Sequence, residues 1–190
     1  LIQRKKALVF DFDGVLADSV GVKADAFALL YKPYGENVAE KVKRHHLQHG
    51  GMSRFEKFRH YHRVYLNEEL LDDAVDNLSV QFSDLVVEQV VNSEEIAGAS
   101  DFLEWCSRSH RRCFVNSATP LPEIISIIER RGIASNFVGI FGSPQSKTGN
   151  LIEIIKQADC LLEEMAFFGD AESDLAAATN VGIDFIGVGG

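Results

Sequence analysis

Apolar positions along the chain follow two rhythms, and the change between them organises everything else. Ala7, Leu8, Val9 and Phe10 form a short unbroken apolar run, the signature of a strand buried on both faces of a parallel sheet. Beyond Asp18 and Ser19, which can cap a helix, Val22, Ala26, Leu29 and Leu30 fall at helical spacing as far as Pro33 and Gly35. From there to Asn92 the pattern predicts only helices: 37–48, 53–65 and 68–91. Ser53 and Glu56, behind the Gly50-Gly51 break, have the spacing of a capping box.

After Ala97 helices and strands alternate. The pattern predicts a helix over 101–109 and a strand over 112–116. Thr119 should cap the next helix, with Pro120 in its first turn and Gly132 as its stop. A strand over 137–141, a helix from 148 to 158, a strand around 166–168, a helix over 173–179 and a last strand over 184–188 complete the chain. Strands separated by helices of this size imply βαβ units in a parallel sheet, with ligands at the carboxyl ends of the strands. The expected fold is therefore α/β, a Rossmann-like parallel sheet core made of residues 1–18 and 95–190. A helical module over 19–94 interrupts it.

Composition narrows the function without naming it. The chain of 190 residues is 46% hydrophobic and 25% charged, ordinary values for a folded globular protein. A net charge of −9 supplies no basic excess for phosphates, so nucleic acid and anionic membrane are not the expected partners. No apolar run is long enough to span a membrane, and no charged-then-apolar segment opens the chain. Cys106, Cys113 and Cys160 match no zinc-binding spacing, and reduced thiols in a cytoplasmic protein are the expectation. The chain opens without Met and stops just after an apolar run, so either trimmed or disordered ends are expected. Oligomeric state leaves no mark in the sequence.

The chemistry sits where the sheet rule places it. The first strand runs into Asp11-Phe12-Asp13-Gly14. Two carboxylates this close repel unless a cation lies between them, and a hard ion such as Mg²⁺ is the natural neutraliser. Gly14 permits a sharp turn whose N–H groups can cradle a phosphate. Ser117 ends the next strand, Lys147 follows the third, and Asp170 ends the fourth, with Asp174 one helical turn beyond. Each has an ordinary structural explanation alone; together, in order, at successive strand ends, they describe a site.

That order resembles the haloacid dehalogenase superfamily. Asp11 and Asp13 match its first motif, Ser117 its second, Lys147 its third, and the GDxxxD of Gly169 to Asp174 its fourth. The resemblance implies a Mg²⁺-dependent hydrolase with a C1-type helical cap, similar to the β-phosphoglucomutase and phosphoglycolate phosphatase group. It implies Asp11 as nucleophile, Asp13 as general acid and base, Ser117 and Lys147 as phosphate ligands, and Asp11, Asp13, Asp170 and Asp174 around the metal. Gly14 and Ala118 would line the substrate site. The implied substrate is a small phosphate monoester, a sugar phosphate or a phosphoglycolate-like acid. Asp13 argues against the dehalogenase branch, which lacks it, and GDAESD differs from the mutase pattern. Mutase-like phosphoryl transfer stands as the alternative; a phospho-accepting or silent binding domain is the more distant one.

Two features of the helical module bear on specificity. GGMSRFEK is similar to the stretch with which the mutase cap grips a second phosphate, so Arg54 is expected to read an anionic or polar group on the substrate. Lys23 aligns with the mutase histidine that follows the first motif, although a charged residue there is usually solvated. His45, His46, His49, His60 and His62 complete no recognisable ligand set, and surface or hinge positions are expected for them. The nearby aromatics fit packing.

Overall fold

The computed structural model describes residues 2–189. Five parallel strands, β1 (Ala7–Phe10), β2 (Arg112–Pro120), β3 (Gly139–Ser143), β4 (Met165–Gly169) and β5 (Asp184–Gly187), form one sheet in the order β3-β2-β1-β4-β5. β1 is central, pairing with β2 on one side and β4 on the other. The chain builds outward to β3, then returns across β1 to lay down β4 and β5. The carboxyl ends of β1 and β4 thus flank the point where the strand order reverses, where a crevice opens in such sheets.

Alternation along β1 divides the interior. Leu8 and Phe10 face one layer, with Leu103 and Cys106 of α5 (Ala99–Arg108) and Ile124, Ile127 and Ile128 of α6 (Leu121–Arg130). Ala7 and Val9 face the other, with Leu151 and Ile154 of α7 (Lys147–Ala158) and Ala177 and Ala178 of α8 (Glu172–Val181). All four β1 residues are buried, which is why no polar residue interrupts the run.

Between β1 and α5 the chain forms α1 (Val20–Tyr31), α2 (Glu36–Gln48), α3 (Arg54–Tyr61) and α4 (Asp72–Val91). It leaves and returns at one place, where Ala17 bridges Glu95 and the Asp18 N–H donates to the Glu94 carbonyl at 2.9 Å. The helices meet around Phe27, whose ring lies 4.2 Å from Phe82, 5.6 Å from Phe58 and 5.8 Å from Tyr61. Ser53 and Glu56 form the expected capping box at the start of α3.

Several boundaries differ from the sequence pattern. α4 starts at Asp72, not Glu68, because a π turn over His62–Leu66 ends in left-handed Asn67 and extended chain follows. β2 continues through Thr119, and Pro120 precedes α6 as its cap residue instead of entering its first turn. β3 begins two residues late, at Gly139. Ser19 precedes α1, but its hydroxyl makes no cap bond; it is used in the site. Three histidines expected at the surface are buried: His45, His46 and His62.

Phe27 is 2% exposed at the centre of this aromatic cluster. Phe27→Ala should destabilise the protein by about 3–5 kcal/mol, the range for deleting a buried ring. Urea denaturation followed by circular dichroism measures it.

Candidate active site

The carboxyl rim of the sheet gathers most of the charged residues singled out in the sequence. Asp11 follows β1, is 5% exposed, and is fixed by main-chain pairing of its N–H to the Phe168 carbonyl of β4 at 2.9 Å. One of its carboxylate oxygens accepts from the Phe12 N–H at 2.7 Å; the other accepts from Lys147 Nζ at 2.6 Å. Lys147 also pairs with Asp174. An ammonium on the first residue of a helix is disfavoured by the helix dipole, and the two carboxylates offset that cost. Burial would lower the Lys147 pKa, but Asp11 and Asp174 outweigh it and hold the group above its ordinary range.

Asp174 lies in the first turn of α8, fully buried, and its carboxylate also accepts from the Ala171 N–H at 3.2 Å. Gly169 is required beneath it, since a Cβ there would overlap the Asp174 side chain. Asp170 stands exposed at the rim. Gly14, in the left-handed region at φ 75°, passes so close to Asp170 that any Cβ would overlap its carboxylate. Gly14 therefore shapes the turn and does not line the cavity next to it.

Oxygen atoms of Asp11, Asp170 and Asp174 lie within 4.8 Å of one another. Although Asp170 is open to solvent at the rim, partial desolvation of its carboxylate, then the charge of Asp174, raises it to about 6. Burial raises Asp11 to about 7 even against Lys147. The cluster is short of positive charge, and its hard oxygen donors suit a divalent ion of the Mg²⁺ type. The Asp13 side chain is turned away from that cluster. It accepts from Lys23 Nζ, from Ser19 Oγ at 2.5 Å and from Thr119 Oγ1 at 3.4 Å. Burial pushes Asp13 up, but Lys23 and then Ser19 outweigh it and leave it below the usual carboxylate range.

Sequence reasoning left Thr119 outside the site and favoured a solvated position for Lys23 over one facing it. Lys23 is 6% exposed and joins Asp13 to Thr119, whose Oγ1 it reaches at 2.8 Å. A lysine on a helix reads as solvated in the sequence; its pairing with Asp13, across the turn at Gly14, exists only in the fold. Asn116 was also missed. It is fully buried, donates to the Lys147 carbonyl at 2.9 Å and accepts from Asn150 at 3.0 Å, tying the start of α7 to β2. A polar residue inside an apolar strand was its available signal. Ser117 is 1% exposed at the rim end of β2, its Oγ accepting from the Thr119 N–H at 3.1 Å.

The helical insertion closes over this rim. Asp11, Asp13, Asp170, Ala118 and Thr119 face Lys23, Phe27, His46, Met52, Arg54, Lys57 and Phe82 across an inner cavity of about 50 Å³. A larger cleft of about 1220 Å³, reaching Lys147, Asp170 and Ala118, opens beside it toward the Ser143–Thr148 turn. Arg54 lines the inner cavity, but not as the free anion reader that its position in the sequence predicts. Its guanidinium makes a two-pronged pair with Glu123 of α6 and donates to Ser83 Oγ of α4 at 2.8 Å. With 4% and 10% of the two side chains exposed, the charge is balanced inside the protein.

The sequence model of the haloacid dehalogenase-like hydrolase family matches residues 8–188. No curated protein matches the chain significantly. Among solved structures, a hydrolase from Pseudomonas syringae is 18% identical and superimposes with a TM-score of 0.78, over 96% of this chain and 84% of that one. A predicted phosphoglycolate phosphatase from Haemophilus somnus is 20% identical, with a TM-score of 0.74 over 97% and 85% of the two chains. A mutant CbbY from Rhodobacter sphaeroides, in complex with xylulose-(1,5)bisphosphate, is 17% identical, with a TM-score of 0.74 over 98% and 87%. At these identities the likeness is one of fold.

Breaking the Arg54–Glu123 pair from one side should be costly, because it leaves a buried guanidinium without its carboxylate. Glu123→Ala is expected to destabilise the protein by about 3–5 kcal/mol, and the double replacement Arg54→Met/Glu123→Leu by much less. A double-mutant cycle of urea-denaturation midpoints decides this; equal losses would contradict it.

Proposed function

The chain belongs to the haloacid dehalogenase-like hydrolases, and on that premise we propose that it is a Mg²⁺-dependent phosphatase acting on a small phosphate monoester. The observation that carries the proposal is the convergence of Asp11, Lys147, Asp174 and Asp170 at the carboxyl ends of β1 and β4, with Asp13 held beside them under a separate cation. Phosphoryl transfer asks for these things: an in-line nucleophile, neutralisation of oxygen charge, and a proton for the leaving group.

Asp11 is the proposed nucleophile. Its carboxylate attacks phosphorus, the P–O bond to the leaving group breaks, and an aspartyl phosphate forms on Asp11. The ammonium of Lys147, already on the Asp11 carboxylate, offsets charge on the nucleophile and on the incoming phosphoryl oxygens. Ser117 donates to a phosphoryl oxygen by turning its hydroxyl proton outward, since its lone pair already holds the Thr119 N–H. Asp13 protonates the leaving oxygen. Lys23 keeps Asp13 ionised at rest; a phosphate dianion brought beside it raises its proton affinity, and it takes up from solvent the proton that it then gives to the leaving oxygen. Once the leaving group has gone, Asp13 takes a proton from the water that cleaves the aspartyl phosphate.

Mg²⁺ would be held by Asp11, Asp170 and the main-chain carbonyl of Asp13, with Asp174 orienting that set through Lys147. The ion supplies charge neutralisation of the phosphoryl oxygens when bound. Ala118 lines the cavity where the ester would sit. In this reading the insertion over 19–94 is the cap, and Met52, Phe27 and Phe82 on its inner side exclude water from the bond that breaks.

Hydrolysis is favoured over mutase-like transfer by the state of Arg54. A mutase must hold a second phosphate at the far side of the cavity, and there the guanidinium is already neutralised by Glu123.

The test is phosphate release from a panel of small phosphate esters. Release should need Mg²⁺, stop with a chelator, and fall by at least about 10³-fold in Asp11→Asn, the scale of losing a covalent nucleophile. Release that persists in Asp11→Asn, or that is indifferent to Mg²⁺, would refute the proposal.

A further inference from the structure

Where the insertion leaves and rejoins the core, behind the turn that carries Asp11 and Asp13, lies a cavity of about 350 Å³ that the rim chemistry does not use. That is the size of a site for a small organic molecule. On one side is the segment that returns from α4, with Glu95, the residue that bridges Ala17. On the other is Arg131, just past the end of α6. Leu16, Val91, Leu103 and Ile133 supply the apolar lining.

Arg131 is a core residue that holds the end of an insertion helix. Its Nη1 donates to the carbonyls of Val90 at 2.8 Å, Val91 at 3.0 Å and Ser93 at 2.9 Å, and to Ser93 Oγ at 3.3 Å. These acceptors are all uncharged, and one nitrogen serves them all. Among the described residues Nη2 and Nε of Arg131 have no partner, and Arg131 is in no ion pair. Neither is Glu95, whose carboxylate accepts only from the Ser100 hydroxyl. Burial draws the Arg131 guanidinium below its ordinary pKa, and the charge of Glu95 offsets part of that. The neighbouring Arg130 is different, since it is paired with Glu88 at 2.7 Å. Two unlike charges therefore line one cavity without meeting.

A guanidinium with a free edge suits a planar carboxylate. The Glu95 carboxylate suits an ammonium and would repel a phosphate dianion. We infer that this cavity is a binding site for a small apolar α-amino acid, with its carboxylate on Arg131, its ammonium on Glu95 and its side chain against the apolar lining. The place matters as much as the fit. A molecule bridging Glu95 and Arg131 ties the returning segment of the insertion to α6. It also lies one residue behind the two acids of the rim. Phe12, between Asp11 and Asp13, accepts from the Leu16 N–H at 2.9 Å, and its ring centre is 6.0 Å from the Arg131 guanidinium. Recognition here is independent of the reaction at the rim.

Isothermal titration calorimetry with three probes tests the site: L-valine, isovalerate, which lacks the ammonium, and isobutylamine, which lacks the carboxylate. L-Valine should bind saturably, and each of the other two at least about 10-fold more weakly, the worth of a hydrogen bond between charged groups. Glu95→Gln, at an exposed position, should weaken L-valine by about 10-fold or more and change isovalerate by less than about threefold. Ala99→Phe, which puts a ring into the cavity that Ala99 lines, should abolish binding of all three. Arg131 is left in place because it also holds α4. If L-valine fails to saturate by about 10 mM, or binds no better than isovalerate, the inference is overturned. Equal weakening of L-valine and isovalerate by Glu95→Gln overturns it as well, and so does L-valine binding unchanged in a folded Ala99→Phe protein. Should Ala99→Phe not fold, the Glu95→Gln comparison decides alone.

Discussion

The Lys147 ammonium between the carboxylates of Asp11 and Asp174 is the interaction on which the rest of the site depends. Three acidic side chains at the reversal point of a parallel sheet would otherwise repel one another in a poorly solvated place. One lysine compensates only part of that charge, and burial still holds Asp11 at about 7. The fold is built to keep the lysine there. Asn116 anchors the Lys147 carbonyl to β2, Asn150 anchors Asn116, and Ser146 caps the helix that begins with Lys147. The lysine leaves a deficit of positive charge that a divalent cation would fill.

A second balance, separate from the first, involves Asp13. Its oxygens are held by Lys23, Ser19 and Thr119, donors from the start of α1 and the end of β2. Two neighbouring carboxylates are thus given opposite leanings: Asp11 is raised by burial and Asp13 is lowered by its cation. These are leanings of the resting site; the proposed roles need Asp11 ionised and Asp13 protonated, a reversal that a bound cation and a phosphate dianion would supply. The insertion adds a third layer, where Arg54 locks onto Glu123 of the core and Lys57 faces the cavity with no ion pair among the described residues.

Much of this was legible in the sequence because it was local. The apolar run of β1, the alternating strands and helices after Ala97, and the acids, serine and lysine at strand ends depend on spacing within one element. The capping box of α3 was readable for the same reason. What stayed hidden depends on contacts between distant segments. Lys23 looks like a solvated helix residue until Asp13 turns back against it. Arg54 looks free until Glu123, remote in sequence, arrives from α6. Thr119 sits where a helix cap is expected, yet β2 runs on through it, because its hydroxyl is engaged by Lys23 and Asp13 and not by a helix N-terminus. The helix expected from Glu68 begins only at Asp72, because extended chain follows left-handed Asn67.

The central claim is that the buried carboxylate of Asp11 becomes phosphorylated. The most direct measurement is an acid quench during turnover with Mg²⁺ and a small phosphate ester, followed by borohydride reduction and peptide mass spectrometry. An aspartyl phosphate is reduced to homoserine, so the account predicts homoserine at position 11 and unmodified Asp13, Asp170 and Asp174. Phosphate release with Asp11 unmodified, or with the modification at one of the other acids, would contradict it.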